Sequence, residues 1–186
     1  MALTTYTSGE VLTAESLNDN FTFAATNPPG GLSLIKSQVV GSAVGSVEVT
    51  GAFSTTYDNY KIIYTGGVAS TGADLQMILG ATTANYFFSL GYIPWAAGIS
   101  TITVNNGASF AYIGGGSTKF AFISCDIYRP FAADETAVSV LGANDSNGQF
   151  GGGYLNDSTS YTAFTITPSG GTLTGGTIYV YGYAKA

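Results

Sequence analysis

From residue 32 onward, apolar and polar positions alternate in short runs broken by glycine, a period of two that marks strands with one buried face. The runs predict strands at Ser33–Val40, Ser46–Thr50, Tyr60–Thr65, Leu75–Leu79, Tyr86–Leu90 and Thr101–Val104. Further strands are predicted at Phe110–Ile113, Lys119–Tyr128, Ala137–Leu141, Tyr161–Thr167 and Thr177–Tyr183. Alternation is cleanest in the last, where Ile178 and Val180 face one side and Tyr179, Tyr181 and Tyr183 the other. Turns are expected at Gly66-Gly67, Asn105-Asn106-Gly107, Gly114–Gly116, Gly151–Gly153, Gly170-Gly171 and Gly175-Gly176. Strands this short and this regularly spaced predict a mainly β protein, an antiparallel β-sandwich or jelly roll. No strict repeat is visible, which argues against a propeller or solenoid.

The first 31 residues follow a different period. Leu12, Leu17 and Phe21 are spaced for one helical face, and Phe23 adds apolar surface beside it. Thr13 suits the N-cap, Glu15 in the first turn suits the helix dipole, and Leu12 and Leu17 stand at the positions of a hydrophobic staple. Asn27-Pro28-Pro29-Gly30-Gly31 then forbids continuation. Ala2–Tyr6 alternates weakly and predicts an extended arm or edge strand. The division expected is an arm over 1–31 and a β-domain over 32–186. So short a helix is marginal alone in water, so its apolar face, Leu12, Leu17, Phe21 and Phe23, is the candidate docking surface.

Composition narrows the function. Charged residues make up 9% of the 186 positions, against roughly 25% in an ordinary soluble domain. Such a surface suits contact with neighbouring subunits, where few charges need to stay hydrated. The net charge is −6, and the five basic residues, Lys36, Lys61, Lys119, Arg129 and Lys185, are scattered. No basic stripe is available to phosphates, so neither nucleic acid nor an anionic membrane is an expected partner. Apolar runs fall short of the roughly 20 residues of a spanning helix, and no secretory signal is visible at the N-terminus.

The chain has no histidine, which removes the commonest general base, the Ser-His-Asp triad and most zinc sites. Phosphate-cradling loops and nucleophile elbows are also missing. Cys125 is the sole cysteine and reads as a buried hydrophobe. Asp58, Asp74, Asp126, Asp145 and Asp157 are scattered, and nothing selects a catalytic pair among them or gives Asp134-Glu135 more than a solvated turn. Asp145-Ser146-Asn147-Gly148 opens like a calcium loop, but Asn156 stands where the bidentate glutamate belongs, and an Asx turn is the favoured reading; Asp157 would have to complete an irregular site. No enzyme activity, cofactor or metal is therefore expected. The aromatic residues leave two questions. Trp95 beside a turn is either a half-buried plug at one end of the sandwich, the commoner case, or a platform for a sugar. The stripe of Tyr179, Tyr181 and Tyr183 is core, subunit interface or ligand platform.

One resemblance joins the two parts. Gly9-Glu10-Val11-Leu12-Thr13-Ala14-Glu15-Ser16-Leu17-Asn18-Asp19-Asn20-Phe21 resembles the G-x-V-L-T-A-x-x-L-N-x-x-F segment that opens many tailed-bacteriophage fibre and virion-surface proteins. Tyr57–Tyr64 and Gly176–Tyr183 resemble strands of phage β-sandwich domains. The resemblance covers under a quarter of the chain and carries no catalytic residues. It implies an N-terminal docking arm, a β-sandwich and a homotrimer, made in the host cytoplasm and placed on the virion surface, on the capsid exterior or the tail. Fibres insert a long shaft after the arm, whereas here Pro28-Pro29-Gly30-Gly31 alone separates arm from sandwich. That favours a compact capsid decoration (cement) protein bound to the major capsid protein or another virion protein. The alternative is a receptor-binding fibre tip with lectin-like contact to a host surface glycan.

Overall fold

The computed structural model describes residues 5, 7–9, 11, 13–26 and 31–185, with the side chains of residues 23–26 left aside. One helix, α1 (Ala14–Thr26), is followed by thirteen strands. They are β1 (Leu32–Val39), β2 (Val47–Val49), β3 (Asn59–Ala69), β4 (Ala73–Leu79), β5 (Tyr86–Pro94), β6 (Ser100–Gly107) and β7 (Phe110–Gly116). The rest are β8 (Ala121–Tyr128), β9 (Thr136–Ala143), β10 (Asn147–Leu155), β11 (Phe164–Pro168), β12 (Leu173–Thr174) and β13 (Thr177–Tyr183). Every pairing is antiparallel.

The strands form two layers that share one seam. The larger layer runs β1-β13-β3-β8-β9-β10-β5-β6. The smaller runs β2-β11-β4-β7, and the two-residue β12 pairs with the end of β3. The seam is β8, whose first residues, Ala121–Ile123, pair with β7 while Cys125–Tyr128 pair with β9. The mainly β, antiparallel sandwich that alternation predicts is thus the fold.

Period-two alternation explains the core. On β3 Tyr60, Ile62 and Tyr64 are buried, on β8 Ile123, Cys125 and Ile127, and on β13 Ile178 and Val180. Leu75, Met77 and Leu79 of β4, with Phe164 and Ile166 of β11, close the core from the smaller layer. Each such side chain contributes about 1.5–3 kcal/mol by leaving water. An aromatic contact bridges the layers, with Tyr86 of β5 edge-on to Phe110 of β7 at 4.8 Å, while Phe53 of the β2–β3 connection stacks on Phe164 at 5.6 Å. The Tyr86 hydroxyl accepts from the Leu79 N–H at 2.8 Å and donates to the Thr82 carbonyl at 3.1 Å, so the one polar atom of that ring is satisfied.

Several expected boundaries are corrected. Gly114–Gly116 and Gly151–Gly153 are strand residues of β7 and β10, not loops. A Cβ on Gly153 would stand 2.1 Å from the Phe87 carbonyl oxygen and one on Gly151 2.4 Å from that of Ser89, so β10 approaches β5 as only a glycine strand can. Gly66-Gly67 lies within β3, at a register shift between Tyr64 and Gly67, and Asn105-Asn106-Gly107 completes β6. Gly175-Gly176 is a turn, with φ of 69° and 80°. The strand expected from Tyr161 starts at Phe164, and that expected from Lys119 starts at Ala121. Ala2–Tyr6 falls outside the described residues except for Thr5.

Candidate functional site

The arm has the local chemistry its sequence demands. Thr13 Oγ1 accepts from the Ser16 N–H at 3.2 Å, and the Thr13 carbonyl accepts from the Leu17 N–H at 3.1 Å, which makes Thr13 the N-cap. The helix ends at Thr26, just before the Asn-Pro-Pro-Gly breaker. Leu17 is 42% and Phe21 66% exposed, and among the described residues no strand packs along α1. Leu12 and the side chain of Phe23, the other two docking candidates, lie outside what is described, and with Leu12 goes the expected staple.

The tyrosine stripe lies on the outer face of the larger layer, so the core reading of it is excluded. Tyr179 and Tyr181 are half-buried, with rings 6.3 Å apart, and Tyr183 is exposed. The Tyr183 hydroxyl donates to Asp126 Oδ1, which also accepts from Lys61 Nζ at 3.3 Å. Burial first, then the neighbouring Asp126 carboxylate, pushes the Tyr183 hydroxyl pKa up to about 12.

Trp95 is 65% exposed, which overturns the half-buried plug expected of it. It stands on the β5–β6 turn, beside the β9–β10 turn. Its indole N–H donates to the Asp145 carbonyl at 3.0 Å, and its ring edge lies 3.8 Å from where a Gly148 Cβ would be. The ring is held by one edge with its body open to solvent, the posture of a stacking platform.

The β9–β10 turn is an Asx turn, as favoured from sequence, but its cap is Asn144. Asn144 Oδ1 accepts from the N–H groups of Ser146 at 2.8 Å and Asn147 at 2.9 Å. Asp145 and Asp157 flank the opposite ends of the nine-residue strand β10, roughly 30 Å apart at the usual strand rise, so they share no metal site. Among the described residues no three His, Cys, Asp or Glu side chains are placed to hold a metal.

Three further carboxylates, Asp58, Asp134 and Asp157, have local partners. Asp58 pairs with Lys185 at 2.8 Å and Asp134 with Arg129 at 2.7 Å. The Glu135 N–H first, then Arg129, holds the Asp134 carboxyl below its usual range. Hydrogen bonding to Thr159, whose N–H donates at 2.7 Å, does the same for Asp157. Asp74 differs, since partial burial raises its pKa. Sequence reasoning missed that Asp134, Glu135 and Asp157 line one hollow with Asn85 and Asn156. Only the sandwich topology joins those two loops. Cys125 is fully buried, and desolvation pushes its thiol up to about 12, which makes it chemically inert at neutral pH.

Sequence reasoning also missed Leu141, Phe150 and Tyr154, exposed apolar residues on the same outer face as the tyrosines. One signal was present. In Ala137–Leu141, Val138 and Val140 take the inner phase, which leaves Leu141 out of phase for a residue of its kind. No helix among the described residues is long and apolar enough to cross a membrane. Comparison with models of known protein families, with curated proteins and with solved structures finds no match.

Proposed function

We propose that this protein is a non-enzymatic structural component of a tailed-phage virion, a capsid decoration protein held on the particle by its N-terminal arm. The observation that carries the reading is α1, a capped helix that offers Leu17 and Phe21 to solvent with no strand packed along it among the described residues. Thirteen residues of helix are marginal in water, and burying these two side chains on a partner contributes about 1.5–3 kcal/mol each. The resemblance of Gly9–Phe21 to virion-protein openings supplies the class of partner, the major capsid protein or a virion protein beside it. The carboxylates tied to local partners and the inert thiol support a structural role over a catalytic one. The test is reconstitution on virions lacking the protein. The full chain should bind to normal occupancy, and a chain lacking residues 1–27 should stay folded and fail to bind. Normal occupancy of the truncated chain would refute the anchor.

Trp95 favours one second reading, a receptor-binding tip in which the open indole stacks on a host glycan. Glycan binding by the intact protein, abolished in Trp95→Ala, is the outcome that separates it from a decoration protein.

A further inference from the structure

The arm is the most one-sidedly charged part of the chain. Residues 1–31 carry Glu10, Glu15 and Asp19 and no lysine or arginine, so half of the net charge of −6 sits in one sixth of the sequence. The other eight acids share residues 32–186 with all five bases. Within α1 the first turn holds Glu15 and the last turn no base. The positive end of the helix dipole accounts for Glu15. Asp19 lies beyond that first turn and stands one turn from Glu15, a like-charge spacing that weakens an isolated helix. Both side chains are exposed, and neither has an ion-pair partner among the described residues.

Helical geometry sets what these acids can do. At about 100° per residue, Leu17 and Phe21 share one side of α1, and Glu15 and Asp19 take the opposite side. Seated on a partner by Leu17 and Phe21, the helix holds its acids about 10 Å from that partner's surface. This is comparable to the Debye length of about 8–10 Å, so the charges act on encounter more than on contact. The sandwich is a poor receiver for them. It is itself net negative, and among the described residues three of its five cations already pair with Asp58, Asp126 and Asp134. A second copy therefore repels the arm of the first.

We infer that the surface receiving α1 is basic: an apolar groove for Leu17 and Phe21 ringed by lysine or arginine side chains, on a protein other than this one. The inference rests on the proposal that α1 is the anchor, and it adds the chemistry of the surface that the anchor meets. The acids steer the encounter and set the rate of association, while Leu17 and Phe21 set the lifetime of the complex.

Binding kinetics of the full chain on virions lacking the protein test it, at about 20 mM and about 500 mM salt. The wild type should associate about 10-fold faster or more at the lower salt. The double variant Glu15→Gln/Asp19→Asn should associate about threefold or more slowly than wild type at low salt, match it at high salt, and dissociate at the same rate. Leu17→Ala should instead dissociate faster and keep the salt dependence. A neutral receiver predicts the reverse for the double variant. Removing the like charges firms the helix, so that variant would bind as fast as wild type or faster at both salts, which overturns the inference. An association rate that salt does not change overturns it as well. So does self-association of the free chain that strengthens in the double variant by sedimentation equilibrium, since α1 then meets a second copy. The anchor itself stands or falls separately. Normal binding by a chain lacking residues 1–27 removes the anchor, whereas binding that needs the arm but ignores salt removes only the basic receiver.

Discussion

Side-chain volume, or its absence, decides how β10 sits. Gly153 faces inward against β5, and its missing Cβ would stand 2.1 Å from the Phe87 carbonyl oxygen and 2.8 Å from the Phe88 ring. Backbone cannot yield as a flexible side chain does, so Gly153→Ala must part β10 from β5. The expected loss is about 3 kcal/mol or more, measured by urea unfolding. Gly45→Ala, with nothing within 4 Å, is the comparison and should cost under about 1 kcal/mol. Glycine triplets look like punctuation in a sequence because their composition favours turns, and a strand built on close backbone approach carries no apolar alternation to reveal it. Trp95 shows the same limit. Its neighbours in sequence suggest a turn, but whether the indole closes the core or faces solvent depends on the β9–β10 turn about fifty residues away.

At the scale of elements, what was legible was local. The Thr13 cap and the stop before Pro28 follow from hydrogen bonds and ring sterics within a few residues, and α1 starts and ends where they place it. Strands with a clean inner phase, such as β3, β8 and β13, were equally legible. The two-residue strand β12 was not, because it exists only through long-range pairing, with Val68 and Ala69 of β3 and, at Leu173, with Val44. The same reasoning explains why the candidate docking residues were readable and their surface was not. An apolar helical face announces that it needs a partner, and nothing in its own spacing names one.

For the whole molecule, the layer order lay beyond the sequence, since β8 serves two neighbours on one edge through different halves of its length. That seam makes one cooperative core, and the core predicts the response to alkali. Burial pushes the Cys125 thiol from 9.0 up to about 12, and burial with Asp126 beside it pushes Tyr183 from 10.0 to about 12. Burial also raises Tyr64 and Tyr86. Each of these groups holds its proton more tightly folded than unfolded. The unfolded chain therefore releases protons first as pH rises, and stability falls with pH in that window. Stability should be level through neutral pH below about 9 and decline between about 9 and 12. For Cys125 alone the slope is at most about 1.4 kcal/mol per pH unit. Urea midpoints measured across that range check it, and a midpoint that rises there would contradict it.

The central claim is that α1 meets a particle surface rather than its own sandwich. The most direct measurement places a photo-crosslinking phenylalanine analogue at Phe21, irradiates intact virions and identifies the crosslinked chain by mass spectrometry. The account predicts a crosslink to a capsid protein, present in virions and lost in the free protein. A crosslink confined to the protein's own residues 32–185, equal in yield with and without the particle, would contradict it.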